Sequence, residues 1–306
     1  MLDYKSNLTI VFFILLFLFI LVIDKENESI SNDHLLIKSV FAIPPEQDLI
    51  VLSSWKINTT NIKDIAVDFT GNIYFTEYAS NKIGRLTPAT NTITEWTIPT
   101  DDSGPTDIVS DSSSSVYFIE DKTDKISKLD FANSKFSEYD PNSNSTTTRG
   151  FIDITFGGNL NQLYYVLNDT LTIGRLDTST NKTTEWKIPS QNSNSTSPNE
   201  ITSLTSVYGD IFFVKSDSNK IGRLTPATNT ITELTIPTDD SGPTDLVFDF
   251  GTSVYFLENK ADKIGRYNYI QNVFTEWNIS KSPYKVTADR VGNIFFIDKE
   301  KIGRIS

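Results

Sequence analysis

The sequence predicts an all-β protein, a six-bladed β-propeller of four-stranded antiparallel blades, and three observations predict it. Residues 81–111 (NKIGRLTPATNTITEWTIPTDDSGPTDIVSD) return at 219–249 with 28 of 31 positions identical. The triplet Ile-Gly-Arg starts at Ile83, Ile173, Ile221, Ile264 and Ile302, with Ile126-Ser127-Lys128 as a degenerate copy, and successive copies stand 43, 47, 48, 43 and 38 residues apart. A period near 40 with strand-like content marks a propeller. Finally, the sequence runs out at Ser306 before a sixth outer strand, and the matching segment 52–57 (LSSWKI) stands ahead of the first full copy. That segment is expected to complete the last blade, leaving the ring no open edge.

Each period supplies four strands. In the first, DIAVD (64–68) is the inner strand and NIYFTE (72–77) follows a Thr70-Gly71 turn. KIGRL (82–86) is the third strand and ITEWTI (93–98) the outer one. The second strands are apolar at consecutive positions (Ile73, Tyr74, Phe75; Val116, Tyr117, Phe118; Ile294, Phe295, Phe296). Burial on both faces requires that pattern, as when a blade lies between two neighbours. The third and fourth strands alternate, as half-wet strands do. Pro88-Ala89-Thr90-Asn91 and its copy at 226–229 supply turn chemistry.

Ahead of the ring, residues 1–23 hold a charge-free apolar run at 8–23, read as one helix. At 16 residues it is close to the length of a membrane crossing and also reads as a signal peptide, with Val40-Phe41-Ala42 as a cleavage site. Lys5 before the run and the acidic residues after it place the propeller (49–306) outside the cell, either anchored or secreted. Residues 24–48 form a tether. With 39 acidic against 27 basic residues the net charge is −12, which argues against nucleic acid and anionic lipid as partners. No cysteine is present, so disulfides, thiol catalysis and thiolate metal sites are excluded.

The phrases NIYFTE, NKIGRLTP, ITEWTIP and SGPTDI resemble the repeat of the virginiamycin B lyase (streptogramin lyase) family over residues 49–306. The resemblance implies a propeller, usually of seven blades. It also implies a metal-assisted elimination that opens a cyclic peptide antibiotic at its ester bond, with histidine serving the proton transfer. The one histidine here, His34, precedes the repeats, so no ring position can supply that base.

Chemistry is expected where inner strands begin and second strands end, because antiparallel neighbours bring both to one face. Aligned copies place Asp64, Asp107, Asp153, Glu200, Asp245 and Lys285 at the first position. They place Glu77, Glu120, Leu167, Lys215, Glu258 and Asp298 at the second. The pairs Asp64/Glu77, Asp107/Glu120 and Asp245/Glu258 are candidate ligands for Ca²⁺ or Mg²⁺ at an acidic channel mouth. Asp153, Glu200, Lys215, Lys285 and Asp298 complete that mouth. Carboxylates around Lys285 and Lys215 would raise their pKa and disqualify them as bases. The repeated arginines (Arg85, Arg175, Arg223, Arg266, Arg304) are expected to face outer-strand glutamates such as Glu95 and Glu233. The tryptophans Trp55, Trp96, Trp186 and Trp277 are expected to fill space between blades. Two polar connections, 141–150 and 190–199, are longer than their counterparts and are candidate specificity loops.

The sequence thus describes a monomeric surface propeller without catalysis, binding a small molecule, glycan or protein. The alternative is a metal-dependent enzyme, a divergent streptogramin lyase or a lactonase-like hydrolase.

Overall fold

The computed structural model describes residues 51–56, 61–111, 114–141, 150–159, 161–167, 171–189, 201–279, 284–289, 292–298 and 301–305. Of 51–56, 296–298 and 301–305 it describes the backbone. The expected apolar helix, His34, Glu200 and most of both long connections lie outside these residues. All elements among the described residues are strands. The first, β1 (Val51–Lys56), stands apart, and the next twenty form five blades of four consecutive strands. Blade one is β2 (Ile62–Val67), β3 (Ile73–Glu77), β4 (Lys82–Thr87) and β5 (Thr92–Thr97). Blade two is β6 (Pro105–Ser110), β7 (Ser115–Glu120), β8 (Lys125–Asp130) and β9 (Lys135–Tyr139). Blade three is β10 (Phe151–Phe156), β11 (Gln162–Leu167), β12 (Thr172–Asp177) and β13 (Lys182–Lys187). Blade four is β14 (Ile201–Val207), β15 (Asp210–Lys215), β16 (Lys220–Thr225) and β17 (Thr230–Thr235). Blade five is β18 (Pro243–Phe248), β19 (Ser253–Glu258), β20 (Lys263–Asn268) and β21 (Val273–Asn278).

In place of a sixth contiguous blade there is a composite sheet. It joins β22 (Lys285–Ala288), β23 (Ile294–Asp298) and β24 (Lys301–Ile305) to β1, in the order β1-β24-β23-β22. Trp55 pairs with Ile302 in the register by which Trp96 pairs with Ile83 and Trp277 with Ile264. Strand β22 neighbours both β18 and β2, so the composite sheet sits between blades five and one.

The cores lie between neighbours, which is why second strands carry apolar side chains on both faces. Ala66, Tyr74, Ile83 and Ile98 of blade one pack with Ile108, Val116, Phe118 and Leu129 of blade two, and comparable clusters join each later pair. Phe295 of the composite sheet packs with Ile65, Ile73 and Phe75 of blade one. Fully burying one such side chain contributes roughly 1.5–3 kcal/mol. The described tryptophan side chains, Trp96, Trp186 and Trp277, pack at these seams as expected: Trp96 lies 5.7 Å from Phe131 of the next blade, and Trp186 Nε1 donates to Asn229 Oδ1 at 2.8 Å.

The glycine of Ile-Gly-Arg is dictated by the second strand. A Cβ on Gly84 would lie 2.2 Å from the Phe75 ring, and one on Gly222 would lie 2.1 Å from Phe213. The arginines correct the sequence reading. Glu95 stands opposite Gly84, so Arg85, one residue on, projects from the other side of the strand. Arg85, Arg175 and Arg266 lie over the rings of Trp96, Trp186 and Trp277, while Arg223 pairs with Asp210. The glutamates Glu95, Glu138, Glu233 and Glu276 take the lysine of Asn-Lys-Ile-Gly or its equivalent instead: Lys82, Lys125, Lys220 and Lys263.

Candidate functional site

Inner strands run from an upper face, where they begin, to a lower face, where short turns lead into the second strands. Each contiguous blade's inner strand shifts register against its second strand near the upper end, for example between Ile62 and Ile65 and between Pro105 and Ile108. A bulge at that point re-aims the intervening side chain. It turns Asp64, Asp107, Asp153 and Asp245 into the central channel, with Lys285 supplied by the composite sheet. In blade four the position belongs to Ser203 and not to Glu200, because SLTSV (203–207), rather than the residues before it, matches DIAVD.

These side chains form a chain of hydrogen bonds around the axis. Asp64 Oδ2 accepts from the Ile108 amide (2.8 Å), Asp107 Oδ2 from Ile154 (2.7 Å) and Asp153 Oδ2 from Leu204 (2.8 Å). Leu246 N donates to Ser203 Oγ (3.3 Å), Ser203 Oγ donates to Asp245 Oδ1 (2.9 Å), and Asp245 Oδ2 accepts from Val286 N (2.6 Å). Each of the five contiguous blades thus clasps the next sheet through a hydrogen bond at its collar side chain. Lys285 Nζ lies 3.2 Å from Asp107 Oδ1 and 3.6 Å from both Asp64 Oδ1 and Asp245 Oδ1.

Burial, and behind it the charge of Asp153, pushes Asp107 up to about 8. Burial likewise raises Asp64, Asp153 and Asp245 above the ordinary carboxylate range. Burial works against the Lys285 ammonium, but Asp245, Asp64, Asp107 and Asp153 together outweigh it and hold its pKa well above that of a free lysine. The expectation that Lys285 cannot serve as a base rests on this arrangement.

Below the ring is a cavity of about 420 Å³. Val109, Thr155, Thr205 and Val247 are among its walls, and Phe156, Tyr208, Phe248 and Phe250 are at its lower mouth.

The structure separates the carboxylate pairs that the sequence suggested. Glu77 stands opposite Ile62, Glu120 opposite Pro105 and Glu258 opposite Pro243, on the far side of the bulge from the aspartates. All three glutamates are buried, and none lines the cavity. Ser80 Oγ donates to Glu77 Oε2 at 2.8 Å, and Thr123 Oγ1 to Glu120 Oε2 at 3.2 Å. Glu258 is fully buried, and burial, with Glu276 nearby, outweighs a hydrogen bond from Ser241 and pushes it up to about 7. Lys215 takes the same place in blade four and donates to Glu233 Oε1 (2.9 Å) and Pro189 O (3.0 Å). Burial opposes ionisation of Glu233, but the bonds from Lys220 and Lys215 outweigh it and hold its pKa low. The side chain of Asp298 lies outside the described atoms.

The aspartate ring does not fit a metal ion. The Lys285 ammonium already occupies the place a cation would take, facing Oδ1 of Asp64, Asp107 and Asp245, and the Oδ2 atoms are used by backbone amides. Among the described residues no group of three or more His, Cys, Asp or Glu side chains is arranged to hold a metal. No helix among them is long and apolar enough to cross a membrane.

Fold and site together define a propeller with a collar of four aspartates around one lysine at its axis and an open cavity beneath. The model of the virginiamycin B lyase family matches residues 51–305, and the chain belongs to that family. It is similar to virginiamycin B lyase from Staphylococcus aureus, with 29% identity over 82% of each chain and a TM-score of 0.64. A catalytically inactive histidine-to-alanine variant of that enzyme with quinupristin matches at 30% identity, again over 82% of each chain, with a TM-score of 0.64. A streptogramin B lyase structure at 21% identity, covering 83% of this chain and 96% of that one, shares the fold with a TM-score of 0.61. No curated protein matches.

Proposed function

We propose that this protein is an exported, membrane-attached propeller that binds an extracellular ligand or partner and performs no chemistry on it. The composite sheet serves as its sixth blade and closes the ring. One observation carries the reading. Residues 51–305 contain no histidine, whereas the S. aureus relative has a histidine-to-alanine variant that is catalytically inactive. The collar supports it, since the Lys285 ammonium sits among the carboxylates where a catalytic cation would otherwise bind. A small molecule in the cavity would meet Thr and Val walls and aromatic side chains at its lower end, surroundings suited to binding. The test is incubation with a streptogramin B, with intact antibiotic expected at all times. Linearised product that disappears in Glu258→Gln would overturn the reading.

A metal-dependent lyase or lactonase-like hydrolase is the second reading, favoured by the buried carboxyl of Glu258, which burial pushes up to about 7. Calorimetric titration with Ca²⁺ and Mg²⁺ addresses it. Heat that is lost in Glu258→Gln would favour this reading over the first.

A further inference from the structure

The two faces of the ring differ in what they expose. Among the described residues seven large hydrophobic side chains are exposed, and six of them lie at the lower face. Tyr208 (77%), Ile270 (69%) and Phe69 (59%) are the most exposed, followed by Val273, Ile93 and Phe250. The seventh, Tyr284, lies at the upper face and donates its hydroxyl to Ile62 O at 3.0 Å. Aromatic packing supports the lower set: Phe248 lies 5.4 Å from Tyr208 and 5.5 Å from Phe250. Both Tyr208 (φ +51°) and Phe250 (φ +58°) hold the left-handed backbone that bulky residues rarely adopt.

The lower turns of blades one, four and five are nearly uncharged: FTGN, PATN, YG, PATN, FGT and YIQN. The aspartates that precede two of them, Asp68 and Asp249, are used in bonds to Asn72 and Ser253 of the same turns. The upper connections instead carry Asp101, Asp102, Asp121, Lys122, Asp239, Asp240 and Lys260.

The chain also enters the ring on the lower side. Val51 pairs with Ile305, Ile305 with Ile294 and Ile294 with Ala288, so β1 begins beside the lower turn of the composite sheet. That sheet sits between blade five, with Phe250, Ile270 and Val273, and blade one, with Phe69 and Ile93. Twenty-seven residues, 24–50, lie between the apolar run 8–23 and Val51, a reach of at most about 95 Å.

We infer that the lower face docks on the lipid bilayer that the run 8–23 enters, with its aromatic and aliphatic side chains at headgroup depth. Tyrosine rings favour that zone, and interfacial binding scales with the apolar area buried there. No basic cluster marks this face, so the surface it fits is uncharged lipid rather than anionic lipid. The inference rests on the anchored reading proposed above. It turns the charged collar's upper side toward the medium and the cavity's lower mouth toward the membrane.

Because the chain has no cysteine, single reporters can be placed cleanly. Full-length Ile270→Cys and Asp240→Cys, each carrying an environment-sensitive fluorophore, are reconstituted into phosphatidylcholine vesicles. The label at 270 should be blue-shifted and several-fold less quenched by aqueous iodide than the label at 240. Adding Tyr208→Ser, Phe69→Ser and Phe250→Ser should erase the difference while cooperative melting persists. Vesicle flotation with equal quenching at both labels overturns the docking alone. Failure to float overturns the anchored reading and the docking with it. Shielding at 270 that follows the protein-to-lipid ratio would name a second copy as the occupant and also overturn the docking.

Discussion

Blades one and four are nearly the same sequence in their outer halves and different at the axis. From residue 81 and from residue 219 the two copies agree at 28 of 31 positions, including both Asn-Lys-Ile-Gly-Arg runs and both Pro-Ala-Thr-Asn turns. The bonds they make repeat as well: Asn81 Nδ2 donates to Thr100 O and Asn219 Nδ2 to Thr238 O, both at 2.8 Å. Yet the collar position is Asp64 in one and Ser203 in the other, and the buried end of the second strand is Glu77 in one and Lys215 in the other. The repeated half is scaffold, whose side chains are set by the geometry of packing one blade on the next. The inner two strands are where the copies diverge, with a hydroxyl in place of an acid at the axis and an ammonium in place of an acid at the buried end of the second strand.

Removing the collar's cation should have the largest effect. Lys285→Met leaves four buried carboxylates without a counter-charge and should cost about 3–5 kcal/mol in urea unfolding at pH 8. The cost should shrink at pH 5, where protons take the place of the ammonium, and Asp107→Asn should restore part of the loss at pH 8. An equal loss at both pH values would show that the collar is not acting through charge.

The wild-type protein should lose stability as pH rises from about 4 to about 8. Asp107 titrates near 8 when folded and near the ordinary 3.9 when unfolded. The folded state therefore holds a proton that the unfolded state has released, and stability falls with pH across that window. Thermal melting in Asp107→Asn should show a flatter profile; an unchanged slope would place the titration elsewhere.

Gly84→Ala and Gly222→Ala sharpen the scaffold side of the comparison. Each puts a methyl into an aromatic ring of the second strand, so both should cost about 1–3 kcal/mol and by similar amounts. The smallest effect should come from Glu77→Lys, which gives blade one the residue of blade four. Glu95 occupies the place of Glu233 and can accept the new ammonium, so unfolding should shift by less than about 1 kcal/mol. A large loss would mean that the two blades are not interchangeable even where their rims coincide.

Much of this was legible before any coordinates. The period, the strands of each blade and the role of the segment around Trp55 follow from repeat arithmetic, and the Trp55–Ile302 register matches that of the other outer strands. The misses have one physical root. Side chains alternate along a strand, so an error of one residue moves a side chain to the opposite face. Pairing Arg85 with Glu95 is such an error, since Lys82 is the partner, and the bulge after Ile62 separates Asp64 from Glu77. The aligned copies put Glu200 at the collar position of blade four, whereas Ser203 holds it and its hydroxyl does the bonding there. The aromatic lower mouth could have been suspected from Tyr208-Gly209 and Phe250-Gly251, aromatic residues placed where turns take small polar ones.

The composite sheet also imposes an order of events on the nascent polypeptide. Val51 leaves the ribosome about 250 residues before Ile305, the residue it must pair with, which at ordinary translation speeds is a wait of roughly 12–50 s. Throughout that interval the forming ring keeps two unmatched strand edges, available to any neighbouring chain of similar sequence.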